Sequence, residues 1–223
     1  MPEFDLIRRL QETIEVPGAD RGLDCVVGIG DDAAVLNCPA GRQLAVCTDT
    51  LVEGVHFPAN TSARSVGYKS LAVNLSDLAA MGAEPAWFFM ALTLPEENRS
   101  WLDEFADGMA GLAKEAGIIL AGGDTTTGPL SITITALGLL EPGTAMTRYG
   151  AHEGDLVVVS GEPGRAANAL RILKDKSTPD AGDLQALEYP RPRLALGRAI
   201  RGVATACIDV SDGLLADLGH ILE

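Results

Sequence analysis

The sequence of 223 residues predicts an α/β protein, with a first domain over residues 1–150 and a second over residues 151–223. Strand-like apolar runs alternate along the chain with segments of helical spacing, a pattern typical of α/β proteins. Turn-forming residues at 141–143 and 150–154 break this pattern and place the domain boundary near residue 150. Hydrophobic residues make up 47% of the chain, which is enough to build a buried core.

The elements of the first domain follow from their apolar spacing and from the prolines and glycines that end them. The predicted helices are residues 3–15, 64–80 and 102–116. The predicted strands are residues 43–48, 87–94, 118–120 and 131–140. A glycine-rich loop at residues 122–128 is expected to follow the strand at 118–120.

In the second domain we expect two buried strands and a set of helices. The predicted strands are residues 155–160 and 205–210, and a polar loop is expected at 175–183. The predicted helices are residues 165–174, 184–188, 192–201 and a last one from about 212, with Ser211 as its N-cap. This last helix runs to Glu223 without a C-cap, so we expect the second domain to be incomplete.

Composition and charge exclude several classes of partner. A formal net charge of −14 argues against a nucleic-acid backbone or an anionic membrane surface. The charge is compatible with a nucleotide, because bound Mg²⁺ inverts the local sign. No apolar run is long enough to span a membrane. The four cysteines and three histidines are scattered, so we expect free thiols and a cytoplasmic protein rather than a zinc site or disulfides.

Aspartates in glycine-rich or small apolar surroundings are the main functional signal. Asp31 and Asp32 are adjacent, and two neighbouring carboxylates repel each other unless a cation or N–H groups balance them. A solvated turn would explain one such pair. The pattern recurs, however, usually beside Ser, Thr or Gly, and the further members are Asp49, Asp77, Asp124, Asp209 and Asp212. Such oxygen-rich surroundings favour several Mg²⁺ ions and phosphate groups.

Three motifs each allow a functional interpretation and a purely structural one. Ser70, Asn74 and Asp77 lie at i, i+4 and i+7 on a helix of small residues, so Asp77 is either a metal ligand or a hydrogen-bonded structural aspartate. The loop at 122–128 could bind phosphate through its N–H groups or merely turn the chain. His56 closely follows the predicted strand at 43–48, and a substrate role is weighed equally with a structural or exposed one.

The chain has no P-loop motif, no protein-kinase signature and no evident nucleophile–base pair. Charge neutralisation and in-line positioning of phosphoryl groups are therefore the expected chemistry. The motifs resemble the thiamine-monophosphate kinase family, within the aminoimidazole-ribonucleotide-synthetase-like ATP-binding superfamily. The segments that carry this resemblance are 28–33, 48–57, 69–83, 122–126, 139–150 around Arg148, and 208–214.

The resemblance implies ATP-dependent phosphorylation of thiamine monophosphate to thiamine diphosphate by direct transfer, with no catalytic side chain assigned. The Mg²⁺ ligands that it implies are Asp32, Thr48, Asp49, Asp77, Asp124, Asp209 and Asp212. The residues that it implies for ATP are Gly123, Asp124, Arg148 and Ser211, and His56 would contact thiamine monophosphate. The implied fold is a mixed or antiparallel N-terminal sheet with helices on one face, which forms a homodimer through the sheet.

The chain departs from the family pattern at two places. Cys47 stands where relatives often carry a hydroxyl residue, and a neutral thiol is a poor Mg²⁺ ligand. The family's Gly-Gly-Glu-Asp-type segment and the aromatic residue that stacks on thiamine have no counterpart before Glu223, so we expect weak or no turnover. The alternatives are another ATP-dependent synthetase of the superfamily, which would need a catalytic cysteine, and a non-catalytic fragment that binds nucleotide and Mg²⁺.

Overall fold

The computed structural model describes residues 3–14, 16, 22–96 and 98–223. Its first region contains α1 (Glu3–Thr13), β1 (Asp24–Val27), β2 (Val35–Asn37), β3 (Gln43–Val52), α2 (Ala63–Ala80), β4 (Glu84–Leu94), α3 (Arg99–Ala116), β5 (Ile119–Thr127) and β6 (Ser131–Leu140). Its second region contains α4 (Arg165–Lys174), α5 (Ala181–Glu188), α6 (Leu194–Ile200) and α7 (Leu214–Leu222). None of the helices in the described residues is both long and apolar enough to cross a membrane.

Four strands form one mixed sheet in the order β3-β6-β4-β5. The β3–β6 and β4–β6 pairs are antiparallel, whereas β4 and β5 are parallel and α3 connects them. Helices α2 and α3 cover one face, which we call the helix-covered face, and bury Phe88 and Ile134 against Leu71 and Phe105. The β1–β2 hairpin packs on part of the opposite face, which we call the open face, over Trp87. The predicted mixed sheet with helices on one face is confirmed.

Two glycines allow α2 and α3 to cross at very short distance. A Cβ atom on Gly67 would lie 2.0 Å from the carbonyl oxygen of Phe105, and one on Gly108 would lie 2.0 Å from that of Arg64. Helix α2 begins after Ser62, whose hydroxyl accepts from the Ser65 N–H, and α3 ends at Gly117 with φ of 67°. The predicted helices at 64–80 and 102–116 are therefore confirmed, with their boundaries moved by up to three residues.

The predicted glycine-rich loop at 122–128 is wrong, because β5 continues through Thr127. Parallel pairing with β4 overrides the tendency of glycine to form turns. Gly123 is required there, since a Cβ atom would lie 2.0 Å from the carbonyl oxygen of Met90. The backbone of Gly123 and Asp124 is thus held in an edge strand rather than wrapped as a phosphate loop.

The predicted strands at 155–160 and 205–210 are also wrong. Both segments lack strand pairing in the described residues, and Leu156 is 91% exposed. An extended segment becomes a strand only when a neighbour accepts and donates its hydrogen bonds, and neither segment has such a neighbour among the residues that the structure describes. The predicted helices of this region agree better with the structure. Helix α4 matches the predicted 165–174, α5 begins at Ala181 rather than at 184, and α6 lies within the predicted 192–201. The domain boundary near residue 150 stays a prediction.

Candidate functional site

Three of the predicted aspartates meet on the helix-covered face, and we call Asp49, Asp77 and Asp209 the acidic cluster. Asp49 projects from β3 beside Ile134 and Met90, and its carboxyl group is close enough to that of Asp77 on α2 for each to affect the pKa of the other. Asp209 is close enough to raise the pKa of both carboxyls, and its Oδ2 accepts a hydrogen bond from Ser76 Oγ at 3.0 Å. The cluster therefore joins the sheet, α2 and the segment before α7.

The acidic cluster carries uncompensated negative charge. Burial first, and then the charges of Asp209 and Asp49, raise the pKa of Asp77 to about 6. Burial and the charge of Asp209 also raise the pKa of Asp49. Among the described residues, no Lys or Arg side chain forms an ion pair with these three carboxylates. Such a site gains most from a bound cation.

The buried polar side chains of α2 near the acidic cluster form hydrogen bonds with backbone carbonyl groups of the same helix. Ser70 and Asn74 are fully buried; Ser70 Oγ donates to the Gly67 carbonyl, and Asn74 Nδ2 donates to the Ser70 carbonyl. Cys47 Sγ lies 3.4 Å from the Asn74 carbonyl oxygen, and burial together with Asp77 and Asp49 raises the pKa of this thiol. Cys47 therefore stays a neutral thiol, and the predicted burial of α2 is confirmed.

Thr48 and Asp124 lie on the open face instead. Asp124 pairs in register with Ala91, Ala91 with Thr133, and Thr133 with Thr50, so these side chains share one face. Thr48 projects to that face as well, and its hydroxyl is hydrogen-bonded to that of Thr135. The loop with Asp31 and Asp32 belongs to the hairpin that packs on the same face.

The implied Mg²⁺ ligands Asp49, Asp77 and Asp124 therefore do not surround one cleft in a single copy of the chain. Strands β3 and β5 are opposite edges of the sheet, and three inter-strand steps separate them by roughly 14 Å. One Mg²⁺ ion binds oxygens at about 2.1 Å and cannot span that distance. The sequence pattern could not reveal this separation, because it depends on the pairing of distant strands.

The donor groups fit Mg²⁺ but do not form a complete protein cage. No group of three His, Cys, Asp or Glu side chains suited to hold a metal ion occurs in the part of the chain that the structure describes. Mg²⁺ commonly uses one or two protein carboxylates and takes its other ligands from water and phosphate. The neighbouring carboxyl groups of Asp49 and Asp77, which have no Lys or Arg partner in the described part of the chain, match that requirement.

His56 is held in a tight turn after β3. Its Nδ1 accepts a hydrogen bond from the Val52 N–H at 2.9 Å, so the ring proton is on Nε2. Lys69 Nζ donates to the His56 carbonyl at 3.1 Å, and burial lowers the pKa of Lys69. No role for Lys69 was predicted from its place in the sequence. The available signal was a lysine among small residues, directly before Ser70.

Arg148, Ser211 and Asp212 lie on exposed loops near the Asp209 segment. The Cys207 N–H donates to the Thr147 carbonyl at 2.9 Å, which brings the loop of Arg148 beside this segment. Ser211 is not an N-cap as predicted: α7 begins at Leu214, and Gly213 occupies the cap position. A cavity of about 550 Å³ lies beside Thr147 but is not lined by the acidic cluster, so charge rather than concavity marks the site.

Comparisons with known proteins identify the class and then the family. Residues 30–140 match the family model described as AIR synthase related protein, N-terminal domain. The fold and the site therefore define a member of the AIR synthase-related class. The chain is 46% identical to thiamine-monophosphate kinase of Escherichia coli K12, over 99% of this chain and 68% of that protein. It belongs to the thiamine-monophosphate kinase family.

Solved structures agree with this assignment. Thiamine-monophosphate kinase from Stenotrophomonas maltophilia superposes with a TM-score of 0.88 at 48% identity, covering 99% of this chain and 71% of that chain. A structure named AaThiL complexed with AMPPCP and TMP superposes with a TM-score of 0.77 at 31% identity, covering 98% and 69%. The Escherichia coli hydrogenase maturation protein HypE, at 20% identity and a TM-score of 0.73, shows the fold alone.

Proposed function

We propose that this protein phosphorylates thiamine monophosphate to thiamine diphosphate, with ATP as the phosphate donor. Family membership and the relative solved with AMPPCP and TMP support the reaction. The structural observation that carries it is the acidic cluster, in which half-buried carboxylates have no Lys or Arg partner among the described residues. A site of this kind binds Mg²⁺, which when bound neutralises phosphate charge and orients the transferred group.

The side chains of the chain have distinct proposed tasks. The proposed Mg²⁺ ligands are Asp32, Thr48, Asp49, Asp77, Asp124, Asp209 and Asp212. Gly123 and Asp124 face ATP together with Ser211, and Arg148 clamps phosphate through its planar fork of donors. His56 donates from Nε2 to a phosphate oxygen of thiamine monophosphate, because its Nδ1 already accepts from Val52. Free thiols in the described residues accord with a cytoplasmic location.

We infer further that the active form is a homodimer joined through the open faces of two sheets. Leu44 and Val46 are exposed on that face, next to the threonines of β3 and β6. Asp124 lies on β5, which strand spacing separates from β3 and its Asp49 by roughly 14 Å within one chain. Because β3 is an edge strand, a second copy would bring its Asp124 past this edge to the acidic cluster of the first, and two equivalent composite sites would result.

Mixing two inactive variants tests this arrangement. Asp77→Ala and Asp124→Ala should each abolish formation of ADP and thiamine diphosphate, measured by chromatography. If each site uses Asp77 of one copy and Asp124 of the other, a mixed dimer retains one intact site. After unfolding and refolding together, an equal mixture should regain about one quarter of the wild-type activity.

The outcomes separate the competing functions. No recovery on mixing would overturn the composite site while leaving the kinase assignment intact. If wild-type protein binds AMPPCP with Mg²⁺ but forms no product, the non-catalytic nucleotide-binding function is favoured instead. A Mg²⁺-dependent rise in melting temperature is expected in either case, because a ligand that binds only the folded state stabilises it.

A further inference from the structure

We propose that Asp217 is a positioning residue that holds the turn of residues 211–213 in its binding conformation. This inference rests on the proposed function, in which Ser211 contacts ATP and Asp212 binds Mg²⁺. Asp217 Oδ2 accepts hydrogen bonds from three successive backbone N–H groups: Ser211 at 2.9 Å, Asp212 at 3.2 Å and Gly213 at 3.1 Å. One carboxylate oxygen thus fixes the whole turn.

The burial of Asp217 is explained by this arrangement. Its exposed fraction is only 3%, and a buried carboxylate is strongly destabilising unless hydrogen bonds compensate it. The three N–H donors provide that compensation, and the N-terminus of α7 also favours a negative charge. Gly213 at the N-cap position has no side chain to cap the helix. Asp217, in the first turn of α7, instead binds the N–H groups of the turn that leads into the helix.

The turn lies between two anchors. On one side, Ser76 on α2 donates to Asp209, which stands two residues before Ser211. On the other side, Asp217 holds the N–H groups that follow. Without Asp217 the turn would sample many conformations, and nucleotide binding would have to order it at an entropic cost. Removing this carboxylate should therefore weaken nucleotide binding, although Asp217 touches neither ligand in our assignment.

Asp217 acts on the turn rather than as a ligand itself. Its Oδ2 is already occupied by three donors, and a metal ion at that oxygen would compete with all of them. Asp183 offers a matched comparison, since it is also a buried aspartate of the second region. It pairs instead with Arg165 Nε at 2.8 Å and with Asn168 Nδ2 at 2.6 Å, between α4 and α5.

The experiment compares Asp217→Ala, Asp217→Asn and Asp183→Asn in the full chain. Calorimetric titration with AMPPCP and Mg²⁺ should give a dissociation constant raised about tenfold by Asp217→Ala and about threefold by Asp217→Asn, which keeps one acceptor oxygen. Asp183→Asn should lower the melting temperature but leave the dissociation constant within about twofold of wild type. Amide proton resonances of residues 211–213 should move upfield in Asp217→Ala, which reports directly on the lost hydrogen bonds.

Wild-type affinity in Asp217→Ala, with the three amide resonances shifted, would overturn the positioning role. Unshifted amide resonances in that variant would overturn the hydrogen-bond arrangement on which the role depends. If the wild-type protein itself fails to bind AMPPCP with Mg²⁺, the proposed function fails, and the positioning role fails with it. These three results are distinguishable from one another.

Discussion

The helix-covered face and the open face of the four-stranded sheet differ in how far this chain covers them. On the helix-covered face, Leu71 and Leu75 are fully buried, and Asp49 meets Asp77 within this packing. On the open face, Leu44 and Val46 are exposed beside paired threonine hydroxyls. Close packing therefore fixes the acidic cluster in each copy, whereas the open face leaves its side chains available to a second copy, as we propose.

The largest effect on stability is expected from a change that separates the two helices of the helix-covered face. Gly67→Ala would place a Cβ atom 2.0 Å from the Phe105 carbonyl oxygen, so α2 and α3 must separate. We expect the free energy of unfolding, measured by urea denaturation, to fall by about 3 kcal/mol. Gly111→Ala is the control, because no atom lies within 4 Å of its added Cβ, and it should gain up to about 1 kcal/mol. Equal stability of Gly67→Ala and wild type would contradict the close crossing.

A second change acts where helix α2 supports the turn of His56, the proposed contact for thiamine monophosphate. Lys69→Met keeps most of the apolar stem but removes the hydrogen bond to the His56 carbonyl. We expect the KM for thiamine monophosphate to rise about tenfold, with the KM for ATP unchanged, because a charge-assisted hydrogen bond is lost. Lys69→Arg, which retains a donor, should restore part of the affinity. An equal rise in both KM values would argue for a general structural role.

A third prediction concerns the pH dependence of the metal-free protein. The folded-state pKa of Asp77 is about 6, against an ordinary value of 3.8, so the folded state binds this proton more tightly than the unfolded state. This contribution to stability is complete below the ordinary pKa and is lost as pH rises through about 6. With a chelator present, the melting temperature of the wild-type protein should fall between pH 4 and 7 relative to the melting temperature of the Asp77→Asn variant. Parallel melting curves for the two proteins would exclude a raised pKa.

The smallest effect on folding is expected on the open face. Val46 is 60% exposed, so Val46→Lys should change the free energy of unfolding of the monomer by no more than about 0.5 kcal/mol. Light scattering should nevertheless show a monomer, because the charge would be buried between two sheets in the proposed dimer. Val203→Lys, at a site 79% exposed after α6 and outside the sheet, is the matched control and should leave the dimer intact. A dimeric Val46→Lys protein would place the interface elsewhere.

Elements that pack into the core were predicted from the sequence better than segments that have no strand partner. The apolar spacing around Leu71 and Leu75, and the alternation around Ile134, identified α2 and β6 because each packs one regular face into the core. The apolar run at 155–160 was wrongly predicted to be a strand, since apolar composition predicts burial but does not supply a strand partner. The glycines at 122 and 123 were wrongly predicted to form a loop, because pairing with β4 holds them in a strand.

The candidate site was predictable as a list of residues but not as an arrangement. Asp49 and Asp77 stood out because carboxylates among small apolar residues need a partner. That Asp124 lies on the other face could not be predicted, since it follows from the successive pairings of β3 with β6, β6 with β4 and β4 with β5, and β3 is far from the other strands along the chain. Asp217 left no such pattern, because it accepts from backbone N–H groups, whereas Lys69 could have been singled out as a lysine among small residues.

Cys47 gives the protein a built-in reporter of its own local opening. Its thiol lies between β3 and α2 with a raised pKa, whereas Cys38 is exposed on the surface. A thiol-alkylating reagent should modify Cys38 readily and reach Cys47 only when α2 separates from the sheet. The delay between the two modifications would measure, without any introduced label, how often the helix that carries Asp77 detaches from the strand that carries Asp49.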